Sequence, residues 1–531
     1  MSRKRNKLIC LVLCLGFMLT LLCGCRDDSP KVQEEEVEQG GSVGQAIADI
    51  AAADHVFSLN SDQSGTFHPY NDTSVLNHLF MPLVFESLFE LDGNFNVTPK
   101  LVTKVESFND GTLWCFYIDT TAKFHDGTNL TAKDCAYSVS RAKQSKEYAG
   151  RLANMYGVST MSDEMFMVSL YKADLQFPSL LNIPVVKSGS MGEKTVPVGT
   201  GPYMYNENHT ALELYREHKL AAELPIETIY LKSYSGPEET INAFEKSIID
   251  LVHNDPTGLS DLGYGSATEK RYINTTNMHY LGFNQKSTFF CYPKFRYFVT
   301  FAIDRDEIIT DCMEGGAVAA TLPISPLSSL YNQNFGRNYN FSLERAETSL
   351  NNAGAQDLDA DGLREFLMGS VVVDIKIDFI VCGDSAAKVG AARNIAEKMR
   401  ELGLDVNLRE LSWNDYQTAL EEGEYDMYYA EVKLSANFDV TQLLAEEGEL
   451  NFGGIDDPGY ETYIDQYLAS PDADRQMNCE LMCKYFTDTA PIVPIMFEKT
   501  ELLTHRNVVK NANPTQYNVF YGIENWKVTM N

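Results

Sequence analysis

The chain has 531 residues, 44% of them hydrophobic and 11% aromatic, and a formal net charge of −31. A surface this acidic argues against binding to nucleic acid and against a basic grip on anionic lipid. The length is too great for a single hydrophobic core, so we expect at least two lobes.

The N-terminus has the layout of a secretory signal. Four basic residues lie within the first seven positions, and an almost wholly apolar run follows from Leu8 to Gly24. The length of this run is at or just below the minimum for a membrane-spanning helix. The alternative to a cleaved signal is an uncleaved membrane anchor. We predict a signal peptide over residues 1–24, whose removal would move the net charge from −31 to −35.

A cysteine follows the apolar run directly. The sequence Leu22-Cys23-Gly24-Cys25 resembles the lipobox of bacterial lipoproteins, which predicts lipid attachment at Cys25. The acidic, polar residues that follow predict a lipidated tether over 25–46. The expected location is therefore the extracytoplasmic face of the cell membrane, with the lipid as the anchor.

The rest of the chain predicts an α/β fold of the mixed α+β type. Short alternating strands and short helices extend from Phe57 to Ser247. Long helical patterns at 387–402 and 413–422 alternate with strand-like runs such as 371–381. A final strand is predicted at 492–497, and no long helical pattern follows it. Two lobes of this kind suit a protein that binds a ligand in the cleft between them.

Six segments occur in an order that resembles the family 5 extracellular solute-binding proteins, which serve peptide- and nickel-type ABC importers. They cover most of the chain after the tether. The segments are Leu83–Leu88 (LVFESL), Phe124–Thr128 (FHDGT) with Thr131–Asp134 (TAKD), Pro197–Tyr203 (PVGTGPY), Tyr280–Asn284 (YLGFN), Arg296–Arg305 and Pro491–Phe497.

The resemblance implies a two-lobed, periplasmic-binding-protein-like fold of the large peptide-binding type. The first lobe would comprise 47–277 and be completed by 496–531, and the second would comprise 278–495. It implies a monomer that captures a small molecule and delivers it to separately encoded ABC permease subunits, with an oligopeptide or dipeptide as the expected ligand. The alternatives are an importer receptor for a nickel chelate or a sugar, and a sensory receptor of the same fold.

One departure from the family concerns the ligand. Peptide-binding members usually carry an aspartate that pairs with the amino terminus of the peptide, and Ser435 occupies that position here. Glu431 or Asp439 could supply the negative charge instead. The residues predicted to contact the ligand are Asn284, Trp413, Glu431, Asn437, Phe438 and Asp439.

No pattern for catalysis is present. The chain lacks GxSxG and HExxH motifs, so we predict no enzyme activity, no catalytic residue, no cofactor and no metal site. The acidic loop at 357–362 has the opening of a calcium loop, but Met368 occupies the twelfth position, where a glutamate is needed. A structural loop is favoured there, and calcium binding stays open.

Overall fold

The computed structural model describes residues 56–192, 195–255 and 268–529. The predicted signal peptide, Cys25 and the whole predicted tether lie outside this part of the chain. Within the described residues, no helix combines the length and the apolar character that a membrane span requires.

The helices are short to medium in length. They are α1 Val75–Val84, α2 Ala132–Ala142, α3 Gly236–Glu245, α4 Pro293–Tyr297, α5 Val299–Ala302, α6 Arg305–Cys312, α7 Gln333–Gly336, α8 Leu343–Ala353, α9 Ala386–Glu401, α10 Trp413–Glu422, α11 Thr441–Leu444, α12 Gly459–Leu468 and α13 Asp472–Thr489.

The strands occur throughout the described residues. They are β1 Phe57–Asn60, β2 Phe89–Leu91, β3 Val97–Pro99, β4 Val102–Phe108, β5 Leu113–Ile118, β6 Met155–Thr160, β7 Met165–Leu170, β8 Tyr203–Tyr205, β9 Ala211–Leu214, β10 Thr228–Lys232, β11 Leu251–Asn254, β12 Thr268–Phe283, β13 Ala317–Ala319, β14 Ala355–Gln356, β15 Glu365–Met368, β16 Val371–Asp374, β17 Lys376–Cys382, β18 Asp405–Leu411, β19 Met427–Lys433, β20 Ile492–His505, β21 Val509–Lys510 and β22 Lys527–Val528.

One mixed sheet connects most of the molecule. Its strand order is β18-β17-β19-β12-β20-β11-β1-β10-β9-β8, and β13 pairs with β20 beside this path. The two long strands, β12 and β20, are antiparallel neighbours at its centre. A separate antiparallel sheet, β4-β5-β7-β6, packs with α2.

These two long strands contribute to more than one hydrophobic cluster. Ile273 of β12 and Leu502 of β20 belong to the cluster built from the first part of the chain and the C-terminal segment. Leu281 and Met496, further along the same strands, belong to a cluster built from the later helices and strands. The lobe boundaries predicted at 277/278 and 495/496 fall within β12 and β20, and they stay a prediction.

Local sequence signals account for several helix ends. The carboxylate of Asp134 accepts a hydrogen bond from the Thr131 backbone N–H at 3.0 Å, which caps α2. Asp304 caps α6, and Ser342 caps α8. Gly354 ends α8 in the left-handed conformation, with φ of 91°.

Two glycines allow a loop to lie directly against the end of α1. A Cβ atom at Gly199 would lie 2.1 Å from the Val84 carbonyl oxygen, and one at Gly201 would lie 2.3 Å from that of Leu83. The same loop accepts a hydrogen bond from the backbone of His125, in the FHDGT turn, at 3.0 Å. The FHDGT turn and the glycine loop at 199–201 therefore serve as scaffold.

Two strands differ from the predicted bounds. The run 371–381 is divided between β16 and β17, because the chain leaves the first strand at Ile375 and joins a different sheet. The final strand continues beyond Phe497 to His505, because its second half pairs with both β11 and the start of β12.

Candidate functional site

The described part of the chain contains a cleft of about 910 Å³. This volume lies toward the upper end of the range for small-molecule sites. Strands of the main sheet form its floor, and segments around α1, after α2 and before β22 form its walls. The lining comes from stretches within 70–91, 144–151 and 515–521, with Asn182, Pro184, His253, Thr275, Asn277, Lys433 and Thr500.

The floor presents polar side chains from adjacent strands. Asn277 of β12 lies opposite Lys433 of β19 in antiparallel register. The hydroxyl of Thr500, on β20, lies 2.9 Å from Nε2 of His253, on β11. Desolvation lowers the pKa of His253, so its imidazole is neutral near pH 7.

Three cations, Lys146, Arg151 and Lys433, line the cleft without a carboxylate in ion-pair range among the described residues, and two of them have surroundings that suit ligand binding. Lys433 is exposed to the cleft, and its pKa is lowered mainly by desolvation, while the charge of Glu147 acts in the opposite direction. The Arg151 guanidinium lies 5.0 Å from the ring centre of Tyr148 and 5.7 Å from that of Tyr517. These rings hold the arginine in place while leaving its charge available to a ligand.

One buried carboxylate of the cleft is already neutralised by protein partners. Glu86 lies 3.3 Å from Nε2 of His218 and 4.0 Å from Nζ of Lys100. Burial tends to raise its pKa, but the hydrogen bond and charge of His218, with the charge of Lys100, hold the pKa below its usual value. Glu86 is therefore a structural anion rather than an anchor for a ligand amine.

Two amide groups at the cleft retain an unused polar atom. Asn182 accepts a hydrogen bond from Arg151, but its buried Nδ2 has no partner. Asn277 donates to Glu498 at 3.2 Å, but its buried Oδ1 has no partner. Buried polar groups are usually satisfied, so these two atoms are exceptions among the residues of the cleft lining.

Asn284 and Trp413, both predicted to contact the ligand, do not line this cleft. The Asn284 side chain donates to the carbonyls of Gly423 and Tyr425, each at 3.1 Å, and so holds the turn after α10. Trp413 is 52% exposed at the start of α10, where its ring packs against that of Tyr416 at 6.2 Å.

Glu431 also lies outside the cleft lining, but close to it. Its carboxylate is 2.6 Å from Nζ of Lys388 and 3.9 Å from Nε2 of His279. It lies two residues before Lys433 on β19, so both side chains leave the same face of the sheet.

Asn437, Phe438 and Asp439 form a contact between distant segments. Nδ2 of Asn437 lies 3.3 Å from the buried carboxylate of Asp174, and the Phe438 ring packs edge-on against Phe95 at 5.5 Å. Asp439 caps the turn that begins α11. This group of contacts, with the backbone bond from Leu175 to Leu468, joins the α2 region to the region of α12.

The acidic loop at 357–362 is organised by its own hydrogen bonds. Asp357 accepts from the backbone N–H groups of Ala360 and Gly362, and buried Glu365 accepts from Leu358. Met368 is exposed in β15. These bonds account for the shape of the loop without an ion.

Sequence reasoning missed Arg151 and Lys433. Lys433 lies within the stretch searched for ligand contacts, and its strand position facing the cleft was the usable signal. Arg151 has no local signal, because its partner Tyr517 lies near the other end of the chain.

Known proteins resemble this chain over most of its length. The oligopeptide-binding protein AppA of Bacillus subtilis is 22% identical over 451 residues, which cover 78% of each chain. The structure of AppA with a nonapeptide has a TM-score of 0.62 at 17% identity and covers 89% of this chain and 98% of AppA. The murein tripeptide-binding protein MppA, in an unliganded open form, has a TM-score of 0.72 at 17% identity, with coverage of 89% and 97%. NikZ of Campylobacter jejuni, with Ni(L-His), has a TM-score of 0.64 at 15% identity, with coverage of 89% and 99%.

These likenesses confirm the predicted fold class, a mixed α/β fold of the oligopeptide-binding type. The family model described as "Bacterial extracellular solute-binding proteins, family 5 Middle" matches residues 96–443, which is more than half of the chain. Members of this family are binding proteins for transport and not enzymes, as the absence of catalytic motifs predicted. The chain belongs to the family 5 bacterial extracellular solute-binding proteins of ABC transporters.

Proposed function

We propose that this protein captures an oligopeptide in the 910 Å³ cleft and delivers it to an ABC permease. The observation that carries the proposal is that two of the cleft cations, Arg151 and Lys433, lie at the floor and wall of the cleft with no carboxylate partner among the described residues. Their charge suits the terminal carboxylate of a peptide.

The size of the cleft supports a peptide over a small chelate. A nickel ion with one or two amino acids would leave much of this volume to water, whereas several peptide residues would occupy it. The similarity to AppA, an oligopeptide-binding protein, and to MppA, a murein tripeptide-binding protein, supports the same choice. The proposal does not depend on ligand contacts by Asn284, Trp413, Glu431, Asn437, Phe438 or Asp439, which stay predictions.

The proposal includes an anchor and a partner. Lipid attachment at Cys25 would hold the protein at the outer face of the cell membrane, close to the permease that receives the ligand. Labelling cells with a palmitate analogue should mark the wild-type protein and not Cys25→Ser. Equal labelling of the two would remove the anchor from the proposal and leave the binding function standing.

Native mass spectrometry tests the ligand class. The protein without its signal peptide and Cys25, purified from rich medium, should carry bound mass that is released on denaturation as a set of short peptides. A single metal chelate, sugar or other discrete compound would contradict the peptide assignment, although the protein would still be a solute-binding protein. Refolded, ligand-free protein incubated with a mixed peptide library provides the matched control for occupancy.

A further inference from the structure

Three neighbouring strands bring together side chains that commonly bind metals. His279 of β12 lies opposite Glu431 of β19, and Glu498 projects from β20 next to a bulge in β12. Nε2 of His279 is 3.9 Å from a Glu431 oxygen and 3.8 Å from a Glu498 oxygen. The sequence predicted no metal site, because 152 positions separate His279 from Glu431 and 67 separate Glu431 from Glu498, and only the fold brings their strands together.

The histidine is fixed with one ring nitrogen pointing at the two carboxylates. Its side chain is fully buried, and Nδ1 lies 2.8 Å from the hydroxyl of Tyr429. The backbone oxygen of Tyr429 in turn accepts a hydrogen bond from Tyr416 at 2.7 Å. Nε2 has no hydrogen-bond partner, although buried ring nitrogens normally find one.

The carboxylates are also short of positive charge. Glu431 pairs with Lys388 at 2.6 Å, whereas Glu498 accepts a hydrogen bond from the neutral side chain of Asn277 at 3.2 Å. Lys388 is the one lysine or arginine within ion-pair range of either carboxylate among the described residues. Two carboxylates and a single ammonium beside one imidazole leave room for a further cation.

We propose that His279, Glu431 and Glu498 form a binding site for a divalent first-row transition ion such as Zn²⁺. One imidazole and two carboxylates are a ligand set that such ions accept, with a fourth position open. Bonds of about 2.0–2.2 Å place two ligands of a tetrahedral ion roughly 3.3–3.6 Å apart, so the observed distances need to shorten by only a few tenths of an ångström. With Nε2 as the ligand, Nδ1–H donates to the hydroxyl oxygen of Tyr429, which is the outer support that metal-binding histidines usually have.

The position of the site gives the ion a structural role beside the cleft. The residues Asn277, Lys433 and Thr500 of the cleft floor each lie two positions along the same strands from the three ligands, and therefore on the same face of the sheet. An ion here would link three strands, two of which contribute to both the first and the later hydrophobic clusters. This inference goes beyond the proposed function and does not rest on it.

Metal binding is measured on the purified protein after treatment with a chelator. Titration with Zn²⁺ should show one tight equivalent and a rise in Tm, because the ion binds the folded state. His279→Gln and Glu498→Gln should each weaken this binding by about tenfold or more. Asp359→Asn, in the exposed acidic loop, is the matched control and should leave it unchanged.

Two further measurements keep the test decisive if a ligand variant folds poorly. X-ray absorption of the wild-type Zn²⁺ complex should show one imidazole and oxygen ligands, and Lys388→Gln should tighten binding by removing a competing ammonium. The proposal would be overturned by any of three results: no tight equivalent of Zn²⁺, an absorption spectrum without an imidazole ligand, or loss of Zn²⁺ binding in Asp359→Asn alone. Peptide binding by the metal-free protein is assayed separately, so failure of either proposal leaves the other to be judged on its own result.

Discussion

Lys433 combines exposure to the cleft with a position deep in the molecule. Because desolvation lowers its pKa, a carboxylate from a ligand would stabilise its charged form. Arg151 is held between two tyrosine rings and loses little side-chain freedom when it binds an anion. These two residues therefore provide the charge on which recognition of a peptide terminus would depend.

Lys433→Met tests this role. We expect it to weaken binding of a peptide with a free terminal carboxylate by about tenfold, since a hydrogen bond to a charged group contributes about 1.5–3 kcal/mol. The substitution should reduce the affinity for the same peptide with an amidated C-terminus much less, and isothermal titration calorimetry measures both affinities. Lys376→Met, on the exposed side of β17, serves as the control. Equal losses for the free and amidated peptides would show that Lys433 does not bind the carboxylate.

At the scale of elements, the end of α1 and the glycine loop at 199–201 hold one wall of the cleft. The last residues of α1 contact this loop through backbone atoms, and Gly201 donates a hydrogen bond to the carbonyl of Val84 at 2.9 Å. Met81 and Pro82 of the same helix line the cleft. The position of that wall thus depends on the absence of a side chain at Gly201.

Gly201→Ala should destabilise the protein. The added Cβ would lie 2.3 Å from the Leu83 carbonyl oxygen, and backbone atoms cannot move aside as a flexible side chain can. Overpacking of this kind costs about 1–3 kcal/mol, which thermal or urea unfolding would measure. Gly157→Ala is the matched control, because a Cβ there meets nothing within 4 Å. An unchanged unfolding midpoint for Gly201→Ala would show that the loop can shift freely.

At the scale of the whole molecule, the Asp174–Asn437 contact joins segments on opposite sides of the long strands. Desolvation raises the pKa of Asp174 to about 7. A hydrogen bond from the Gln176 backbone and the charge of Arg475 act to lower this pKa, whereas the charge of Asp439 acts to raise it. If the segments separate, the carboxyl group returns to water, where its pKa is about 3.9. At a pH between about 3.9 and about 7, forming the contact is therefore accompanied by the uptake of a proton.

The contact should consequently weaken as pH rises. Its stabilisation is complete below about pH 4, and it is lost as pH rises through about 7. We expect small-angle X-ray scattering of the ligand-free protein to show a larger radius of gyration at pH 8 than at pH 5. Asp174→Asn should abolish this dependence, whereas Asp465→Asn, which alters an exposed ion pair of the same contact, should retain it. A radius that does not vary with pH in the wild-type protein would contradict the expectation.

Features whose partners lie within a few residues can be read from the sequence. The caps at Thr131, Asp304 and Ser342 and the left-handed end at Gly354 are of this kind, because each depends on atoms of one helical turn. The family and fold class were also readable, since six ordered motifs span most of the chain.

Which residues come together at the cleft and at the proposed metal site depends on the tertiary structure. The pairing of Asn277 with Lys433, the stacking of Arg151 on Tyr517 and the meeting of His279 with Glu498 each join residues far apart in the chain. No local pattern encodes such meetings, because they depend on how β12, β19 and β20 align in one sheet. Strand register selects which side chains share a face, and that register is set by packing over the whole molecule.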